Sequence, residues 1–377
     1  MDNSSGAILE RMREFCGQYF IPGITRENRR AISSRLNRYV AAVTPALCQR
    51  VCDRLSAEPS LVSVGTPCYL FGDIHGNVKD LYDIECSFWM NSGLDQLQSA
   101  RYVFLGDYVD RGDHSVEVAV YLLALRDAEP HRFTLLRGNH EVRLLNRSFT
   151  FWIECRKKFG LVVGERIWDQ INRCFDRLPL VAIVGQSVFC CHGGPPRSAT
   201  TLAELTHIPK PLISPEEVPS AQEILWNDPI ESMSSYSAER TEETMRAKGQ
   251  RWAVNRIRGT GFYYTAAAVQ EFLDANGLRY LSDVRNRIRG TGFYYTAAAV
   301  QEFLDANGLR YLVRAHECVD TGYRVTSGGR VITVFSAFNY CGRNNATACV
   351  EVTTDGTIRP IVLKNRLGTV RRRSQTG

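Results

Sequence analysis

Short apolar runs of four or five residues recur along the middle of the chain, and each one leads into a glycine with polar neighbours. Branched and aromatic side chains dominate these runs, which is typical of buried β-strands. Amphipathic stretches long enough for helices lie between them. The four clearest runs begin at Cys68, Arg101, Phe133 and Val188. This alternation predicts an α/β domain with a mixed sheet and flanking helices.

The two ends of the chain follow other patterns. Residues 1–44 carry apolar positions at helical spacing and are predicted to form a helical N-terminal extension, with breaks at Pro22-Gly23 and at Pro45. Its apolar stripe is expected to pack against the main domain, which is predicted to cover residues 45–363. Residues 364–377 are basic and have no apolar periodicity, so a disordered tail is expected.

A stretch of 27 residues occurs twice without a single change, at 255–281 and at 286–312. Each copy contains one amphipathic helix that ends at Asn-Gly. Two copies are too few for a repeat fold, which needs about three or more units. Identity at polar positions such as Gln270 indicates a recent duplication or an assembly error, because a fold constrains mainly the buried face. The core is expected to use only one copy. The second copy is favoured, because it leads through one helix and one strand directly to His316 in the RAH motif.

Composition and charge exclude several classes of protein. The chain has 377 residues and a formal net charge of +6, part of it in the tail, so nucleic-acid binding is not expected. No apolar run approaches the ~18 residues of a membrane span, and the first six residues do not resemble a signal peptide. The 12 cysteines contain no CxxC pair and are expected to be reduced thiols. A cytoplasmic and/or nuclear protein is therefore expected.

A cluster of polar side chains beside glycine follows each of the four strands. The clusters are GDIHG at 72–76, GDYVDRG at 106–112, RGNHE at 137–141 and HGG at 192–194. Ligands of open α/β sheets bind at the carboxyl ends of the strands. Carboxylates, imidazoles and an amide without a thiolate suit Mn, Fe or Zn. Two such metals about 3.5–4 Å apart can lower the pKa of a bound water, which then attacks the phosphorus of a phosphoester. A metal site is therefore predicted at these strand ends.

The ordered motifs GDIHG, GDYVDRG, RGNHE, CHGG, RAH and FSAFNYCG resemble those of the PPP family of serine/threonine phosphoprotein phosphatases. They cover about Cys48 to Leu363. The run that follows RGNHE is most similar to the calcineurin catalytic core, whereas NYCG is similar to type-1 and type-2A enzymes. The resemblance implies a calcineurin-like metallophosphoesterase fold, an α/β architecture with a central mixed β-sandwich flanked by helices.

The resemblance also implies a role for individual residues. Two divalent metal ions of the Mn, Fe or Zn type would be the cofactors. The implied metal ligands are Asp73 and His75 at one metal, Asp107 as the bridge, and Asn139, His192 and His316 at the other. The implied catalytic residues are His140 as general acid, Asp110 as its partner, Arg111 with Arg289 (or its copy Arg258) as a phosphate clamp, and Tyr340 in the phosphate pocket.

The implied function is hydrolysis of phosphoserine and phosphothreonine in proteins by a water that two metal ions activate. Phosphoprotein substrates and regulatory subunits are the expected partners, with no nucleic acid and no membrane. Two alternatives stay open. A small-molecule phosphohydrolase acting on dinucleoside polyphosphates would use the same metal core. An inactive phosphoprotein-binding scaffold would result if the duplication disrupted the arginine clamp.

Overall fold

A computed structural model describes residues 2–90, 99–230, 245, 247–248, 252–254 and 293–364. The α-helices are α1 (Ser5–Tyr19), α2 (Arg26–Ser56), α3 (Val78–Phe88), α4 (Ser115–Ala128), α5 (Arg143–Ser148), α6 (Phe151–Phe159), α7 (Leu161–Phe175), α8 (Leu202–Thr206), α9 (Pro219–Trp226) and α10 (Ala297–Ala306). The strands are β1 (Leu61–Val64), β2 (Cys68–Phe71), β3 (Arg101–Phe104), β4 (Phe133–Leu135), β5 (Val181–Val184), β6 (Val188–Cys191), β7 (Asp228–Pro229), β8 (Trp252–Val254), β9 (Phe293–Tyr295), β10 (Tyr311–Arg314), β11 (Tyr323–Thr326), β12 (Val331–Val334), β13 (Thr347–Val352) and β14 (Ile358–Lys364).

Two mixed sheets form the centre of the molecule. One has the strand order β1-β5-β6-β10-β12-β11, and the other has the order β14-β13-β2-β3-β4. Side chains from both sheets, such as Leu70, Val103, Cys190 and Val313, belong to one fully buried apolar cluster. The two sheets therefore pack face to face, as the predicted β-sandwich requires. Fully buried Cys190 behaves as a small apolar residue within this layer.

Helices cover the outer face of each sheet. The N-terminal helices and α3, α4, α6 and α7 contribute to an apolar cluster with Phe71 and Phe104 of the second sheet. Helices α9 and α10 cover Phe189 and Leu312 of the first sheet through Ile224 and other apolar side chains. None of the described helices combines the length and the apolar composition that a bilayer crossing needs.

The N-terminal segment differs from the prediction at Pro45. The predicted break is wrong, because α2 continues through this proline to Ser56. Proline inside a helix costs about 3 kcal/mol, since it removes one hydrogen bond and its ring crowds the preceding turn. Buried residues on both sides of it, such as Val43 and Leu47, pack into the core and offset that cost. The expected stripe of α1, which includes Met12, is buried in the same cluster.

The second copy of the duplicated segment contributes to the core. It supplies β9, α10 and the start of β10, and Val300, Phe303 and Leu304 of α10 pack on the first sheet. The first copy, at 255–281, lies outside the described residues. Strand β8 pairs with β9 in antiparallel register, with Val254 opposite Phe293. Both ends of the segment between these strands are therefore held close together.

Deletion of residues 255–285, one 31-residue period, is expected to leave a folded protein. It would leave seven residues, 286–292, between Val254 and Phe293, enough to close an antiparallel hairpin. Shortening a 38-residue connection to seven lowers the loop-closure cost by about 1.5 kcal/mol. Thermal unfolding should show an equal or higher midpoint, and metal-dependent hydrolysis should be retained. Loss of either property would show that both copies are used.

Candidate active site

The predicted site residues converge where strands of both sheets end. Asp73, Asp107 and Asn139 follow the parallel neighbours β2, β3 and β4, whereas His192 and His316 follow the parallel pair β6 and β10. The two groups meet directly, since the backbone N–H of His316 donates to Oδ1 of Asp73 over 3.0 Å. The site therefore lies at the shared carboxyl edge of the sandwich, where parallel strands place their ligands.

Two glycines allow the loops after β3 and β4 to touch. Gly106 has a φ of 106°, and a Cβ built on it would lie 2.4 Å from the backbone nitrogen of Gly138. A Cβ on Gly138 would in turn lie 2.3 Å from the backbone nitrogen of Asp107. No side chain fits at either place, so glycine is required for this contact. The contact brings Asp107 beside the turn that carries Asn139 and His140.

Several site residues have a left-handed backbone that side chains rarely adopt. The φ angles are 45° at His75, 57° at Asp107 and 70° at His316, and Asp110 and Arg111 lie in the same region at 70° and 71°. Each such residue costs on the order of 1–3 kcal/mol and persists only when its surroundings hold it. The fold therefore stores backbone strain at the residues that are predicted to bind metal and to take part in catalysis.

The first group of donor atoms surrounds Nε2 of His75. That nitrogen lies 3.5 Å from Oδ2 of Asp73 and 3.5 Å from Oδ2 of Asp107. The other ring nitrogen, Nδ1, lies 3.0 Å from the backbone carbonyl of Val109, to which it can donate. When the ring is neutral, this bond places the proton on Nδ1 and leaves the lone pair on Nε2, which is the usual arrangement of a metal-binding imidazole.

The second group surrounds Nε2 of His192. Its Nδ1 lies 3.0 Å from the carbonyl of Leu105, so Nε2 again carries a lone pair when Nδ1 donates. This Nε2 lies 2.9 Å from Oδ1 of Asn139, 2.9 Å from Nδ1 of His316 and 3.3 Å from Oδ1 of Asp107. The ligand atoms of Asp107, His192 and His316 all lie within 4.8 Å of one another, and imidazoles with a carboxylate are a donor set that suits a divalent metal. The residues present therefore fit a metal ion.

Burial and charge shift the pKa values of these groups strongly. Burial alone would lower the pKa of His75, but the carboxylates of Asp73 and Asp107 outweigh it and raise that pKa to about 9. Burial would raise the pKa of Asp107, yet His192, His140 and His75 hold it far below its usual range. Asp107 is therefore fully ionised at neutral pH, as a bridging carboxylate must be.

His140 and Asp110 form a pair beside the donor groups. Nδ1 of His140 lies 2.7 Å from Oδ2 of Asp110, and both side chains are buried. Oδ1 of Asp110 accepts the backbone N–H groups of Thr150 at 3.0 Å and Phe151 at 2.7 Å. These bonds hold the carboxylate, and the carboxylate orients the imidazole. Nε2 of His140 is then the nitrogen that can donate a proton to a bound group.

Arg111 and Tyr340 lie in the same cleft, which has a volume of about 390 Å³. The guanidinium of Arg111 lies 4.3 Å from the ring centre of Phe149, and the residue is exposed. The Tyr340 ring stacks on His75 with 5.1 Å between ring centres. Burial raises the pKa of the Tyr340 phenol despite the nearby Arg111 charge, so the phenol keeps its proton at neutral pH.

Three further residues of the site were not predicted from the sequence. Glu141 accepts backbone N–H groups from Asp107 at 2.7 Å and from Gly138 at 3.0 Å, so it ties the two glycine loops together. Its place in the RGNHE motif was the available signal. Arg324 and Arg343 line the cleft and add positive charge to it. Arg324 belongs to no strand-end motif, whereas Arg343 directly follows FSAFNYCG, and that position was the available signal.

Arg258 and Arg289, the alternative arginines of the predicted clamp, lie outside the described residues. All other predicted site residues lie close together. Asp73, His75, Asp107, Arg111, Asn139, His140, His316 and Tyr340 line the cleft, and His192 and Asp110 lie directly behind it in contact with Asn139 and His140. Their assigned roles stay predictions that the substitutions proposed below would test.

Residues 66–320 match the family model of the calcineurin-like phosphoesterases. The chain belongs to this family. The matched region includes the ligand-bearing motifs from GDIHG to RAH, and the family uses divalent metals. The family and the fold predicted from the sequence motifs are thereby confirmed.

Relatives of this calcineurin-like phosphoesterase are named serine/threonine phosphatases. The chain is 32% identical over 316 residues to serine/threonine-protein phosphatase BSL2 of Arabidopsis thaliana, a match covering 83% of the chain but only 26% of that protein. It is 31% identical over 308 residues to the serine/threonine-protein phosphatase 6 catalytic subunit of Caenorhabditis elegans, covering 81% of the chain and 76% of that subunit. The chain thus spans about a quarter of the plant relative.

A solved structure shares the fold. It is a protein serine/threonine phosphatase from Saccharomyces cerevisiae with similarity to human phosphatase PP5, which superposes with a TM-score of 0.62 at 24% identity. The match covers 86% of this chain and 89% of that one. The agreement supports the two-sheet architecture described above.

Proposed function

We propose that this calcineurin-like phosphoesterase is a protein serine/threonine phosphatase that uses two divalent metal ions of the Mn, Fe or Zn type. The convergence of His192, His316, Asn139 and Asp107 on one point, beside the His75 and Asp73 group, carries the proposal. A mixed set of imidazoles, carboxylates and one amide suits these metals. Relatives named as serine/threonine phosphatases support the substrate class.

Each group would have a distinct task. Asp73 and His75 would hold one metal. The other metal would be held by Asn139, His192 and His316. Asp107 would be a ligand of both metals. Metals bound there supply an activated water and neutralise charge on the phosphoryl oxygens.

Arg111 would bind phosphate oxygens through its forked guanidinium, and the Phe149 ring below it restricts its motion. Nε2 of His140 would give a proton to the seryl or threonyl oxygen that leaves, while Asp110 keeps the imidazole oriented.

A phosphopeptide panel run with and without metal tests this function. Purified protein should release phosphate from phosphoserine and phosphothreonine peptides only after addition of a metal such as Mn²⁺, and a chelator should reverse the effect. Diadenosine tetraphosphate, with its nucleotide products separated by chromatography because its cleavage releases no free phosphate, tests the small-molecule alternative. Preferred hydrolysis of that nucleotide would reassign the substrate, and absence of turnover with metal bound would favour the scaffold.

The duplicated segment raises the question of which arginine completes the clamp. The second copy is linked to His316 through α10 and β10, both described, so Arg289 is the favoured residue. Arg289→Ala should lower kcat/KM. The lost transition-state stabilisation should be roughly 1–3 kcal/mol, the typical contribution of a charged hydrogen bond. Arg258→Ala, in the identical first copy, is the matched control and should change little. The reverse ranking in steady-state kinetics would assign the clamp to the first copy.

Partners and location follow the same proposal. Phosphoproteins are the proposed substrates, and regulatory subunits are proposed partners whose identity depends on surfaces outside the cleft. A cytoplasmic and/or nuclear location stays a prediction. Localisation of a tagged full-length chain by microscopy would test it.

A further inference from the structure

A second large groove lies on the N-terminal helices. Its volume is about 890 Å³, more than twice that of the catalytic cleft. One wall is a stripe of α2, with arginines at positions 26, 29, 30 and 38 and short polar side chains between them. Positions 26, 30, 34 and 38 follow one side of the helix at four-residue spacing, and the lining set as a whole spans about half of the helix circumference. The other wall contains Ile24, Phe159 and Val163. We call this feature the α2 groove.

The positive charge of the α2 groove is not balanced within the described part of the chain. No residue that lines it is acidic, and Arg26, Arg29, Arg30 and Arg38 form no ion pair with any described carboxylate. All four are exposed. The fifth lining cation, Lys158, is different, because it is paired with Glu117 and lies 2.8 Å from Glu154.

These arginines do not serve the fold. The core contacts of α2 come from other residues, such as Leu36, Val40 and Val43. Arg38 donates to Ser34 on its own helix at 3.2 Å, and the Arg29 guanidinium lies 5.5 Å from the Tyr19 ring centre. Arg26, Arg29 and Arg30 lie within about one turn of the helix, so their like charges repel one another, a cost that an anionic partner would remove.

The α2 groove also borders the catalytic loop. Lys158, in its wall, donates to the backbone carbonyl of Asp113 at 3.3 Å, and the Tyr19 ring lies 5.2 Å from that of His114. Asp113 and His114 follow Arg111 in the chain. A partner seated in the groove would therefore contact Tyr19 and Lys158, which in turn touch the segment that follows Asp110 and Arg111.

We propose that the α2 groove is a docking site for an acidic segment of a partner protein. From Arg26 to Arg38 the helix rises about 18 Å, the reach of roughly six extended residues. Acidic side chains would pair with the arginines, and aliphatic side chains would contact Phe159 and Val163. The apolar wall favours such a peptide over a nucleic acid, whose backbone offers no aliphatic surface. A flat bilayer would reach only the rim of a concave groove.

Fluorescence anisotropy with two synthetic peptides tests the proposal without requiring turnover. One labelled peptide alternates glutamate and leucine, and its control has glutamine in place of every glutamate. The glutamate peptide should bind the full-length protein, and rising salt should weaken it, whereas the glutamine peptide should bind at least tenfold more weakly. Equal binding of both peptides would overturn the proposal.

A matched pair of variants locates the site. Arg30→Glu should weaken the glutamate peptide by about tenfold, the effect of losing one charged hydrogen bond. Arg35→Glu makes the same charge change on the same helix at an exposed position outside the groove, and should leave affinity within about twofold. Arg26→Glu serves as a second groove variant, and thermal unfolding checks that each variant is folded. Equal losses of affinity at positions 30 and 35 would contradict peptide docking. Labelled oligouridylate and phosphatidylserine vesicles test the other ligand classes, and tighter binding of either one than of the peptide would also contradict it.

Discussion

Replacement of Asp107 by asparagine is expected to abolish turnover almost completely and to strip metal from the protein. The Asp107 carboxylate lies between the two donor groups, 3.5 Å from Nε2 of His75 and 3.3 Å from Nε2 of His192. The surrounding imidazoles keep its pKa far below the usual range, so it is charged at every pH at which the protein would be assayed. A neutral amide has the same shape but cannot hold two cations together.

Metal analysis, turnover and thermal unfolding should be measured on the same Asp107→Asn preparation. We expect kcat to fall by more than roughly 10³-fold, because an ionised ligand shared by both metals is lost. Asp113→Asn is the matched control, since it removes an exposed carboxylate from the same loop outside the donor groups. That control should keep its metals and its rate. Wild-type turnover in Asp107→Asn would remove the bridging role.

His140→Asn is expected to retain its metals and to lose roughly 10²–10⁴-fold in kcat, the usual contribution of a general acid. The structure makes this a sharp test, because His140 also lies close enough to His75 and Asp107 to be a metal ligand. Its Nδ1 is held by Asp110 at 2.7 Å, which leaves Nε2 for proton donation. Loss of metal in this variant would make His140 a ligand and not the acid.

The leaving group gives a second measure of the His140 role. A nitrophenolate leaves without a proton, whereas a seryl oxygen needs one, so the loss should be much smaller with nitrophenyl phosphate than with a phosphopeptide. His207→Asn is the control, since His207 is exposed, its Nδ1 lies 2.7 Å from the carbonyl of Ala203, and it does not line the cleft. Equal losses on both substrates would argue against acid catalysis.

The structure brings together side chains that the sequence pattern selects at the ends of the strands. Asp73, Asp107 and Asn139 could be chosen because each follows an apolar run and adjoins or lies near a glycine, a pattern that depends only on local sequence. Parallel strands then place these ends at one edge of a sheet. Local chemistry and a general rule of topology were sufficient for this part of the site.

The errors and omissions have a different origin. Pro45 was predicted to end a helix because local propensity says so, yet packing of Val43 and Leu47 on either side overrides it. Arg324 enters the catalytic cleft from β11, and Arg343 enters it from the residue after the FSAFNYCG motif, where charge alone does not indicate a role in the site. No window of sequence contains the information for Pro45 or Arg324, because it lies in contacts between distant segments.

The sequence by itself determined the order of the ligand motifs, the alternation of strands and helices, and the residue types that a metal site needs. Only the tertiary structure decided that α2 runs unbroken to Ser56 and that an unbalanced arginine stripe faces a groove. The physical reason is the distance along the chain over which each kind of interaction acts. Motifs and periodicity act over a few residues, whereas burial and charge balance depend on which distant segments the fold brings together.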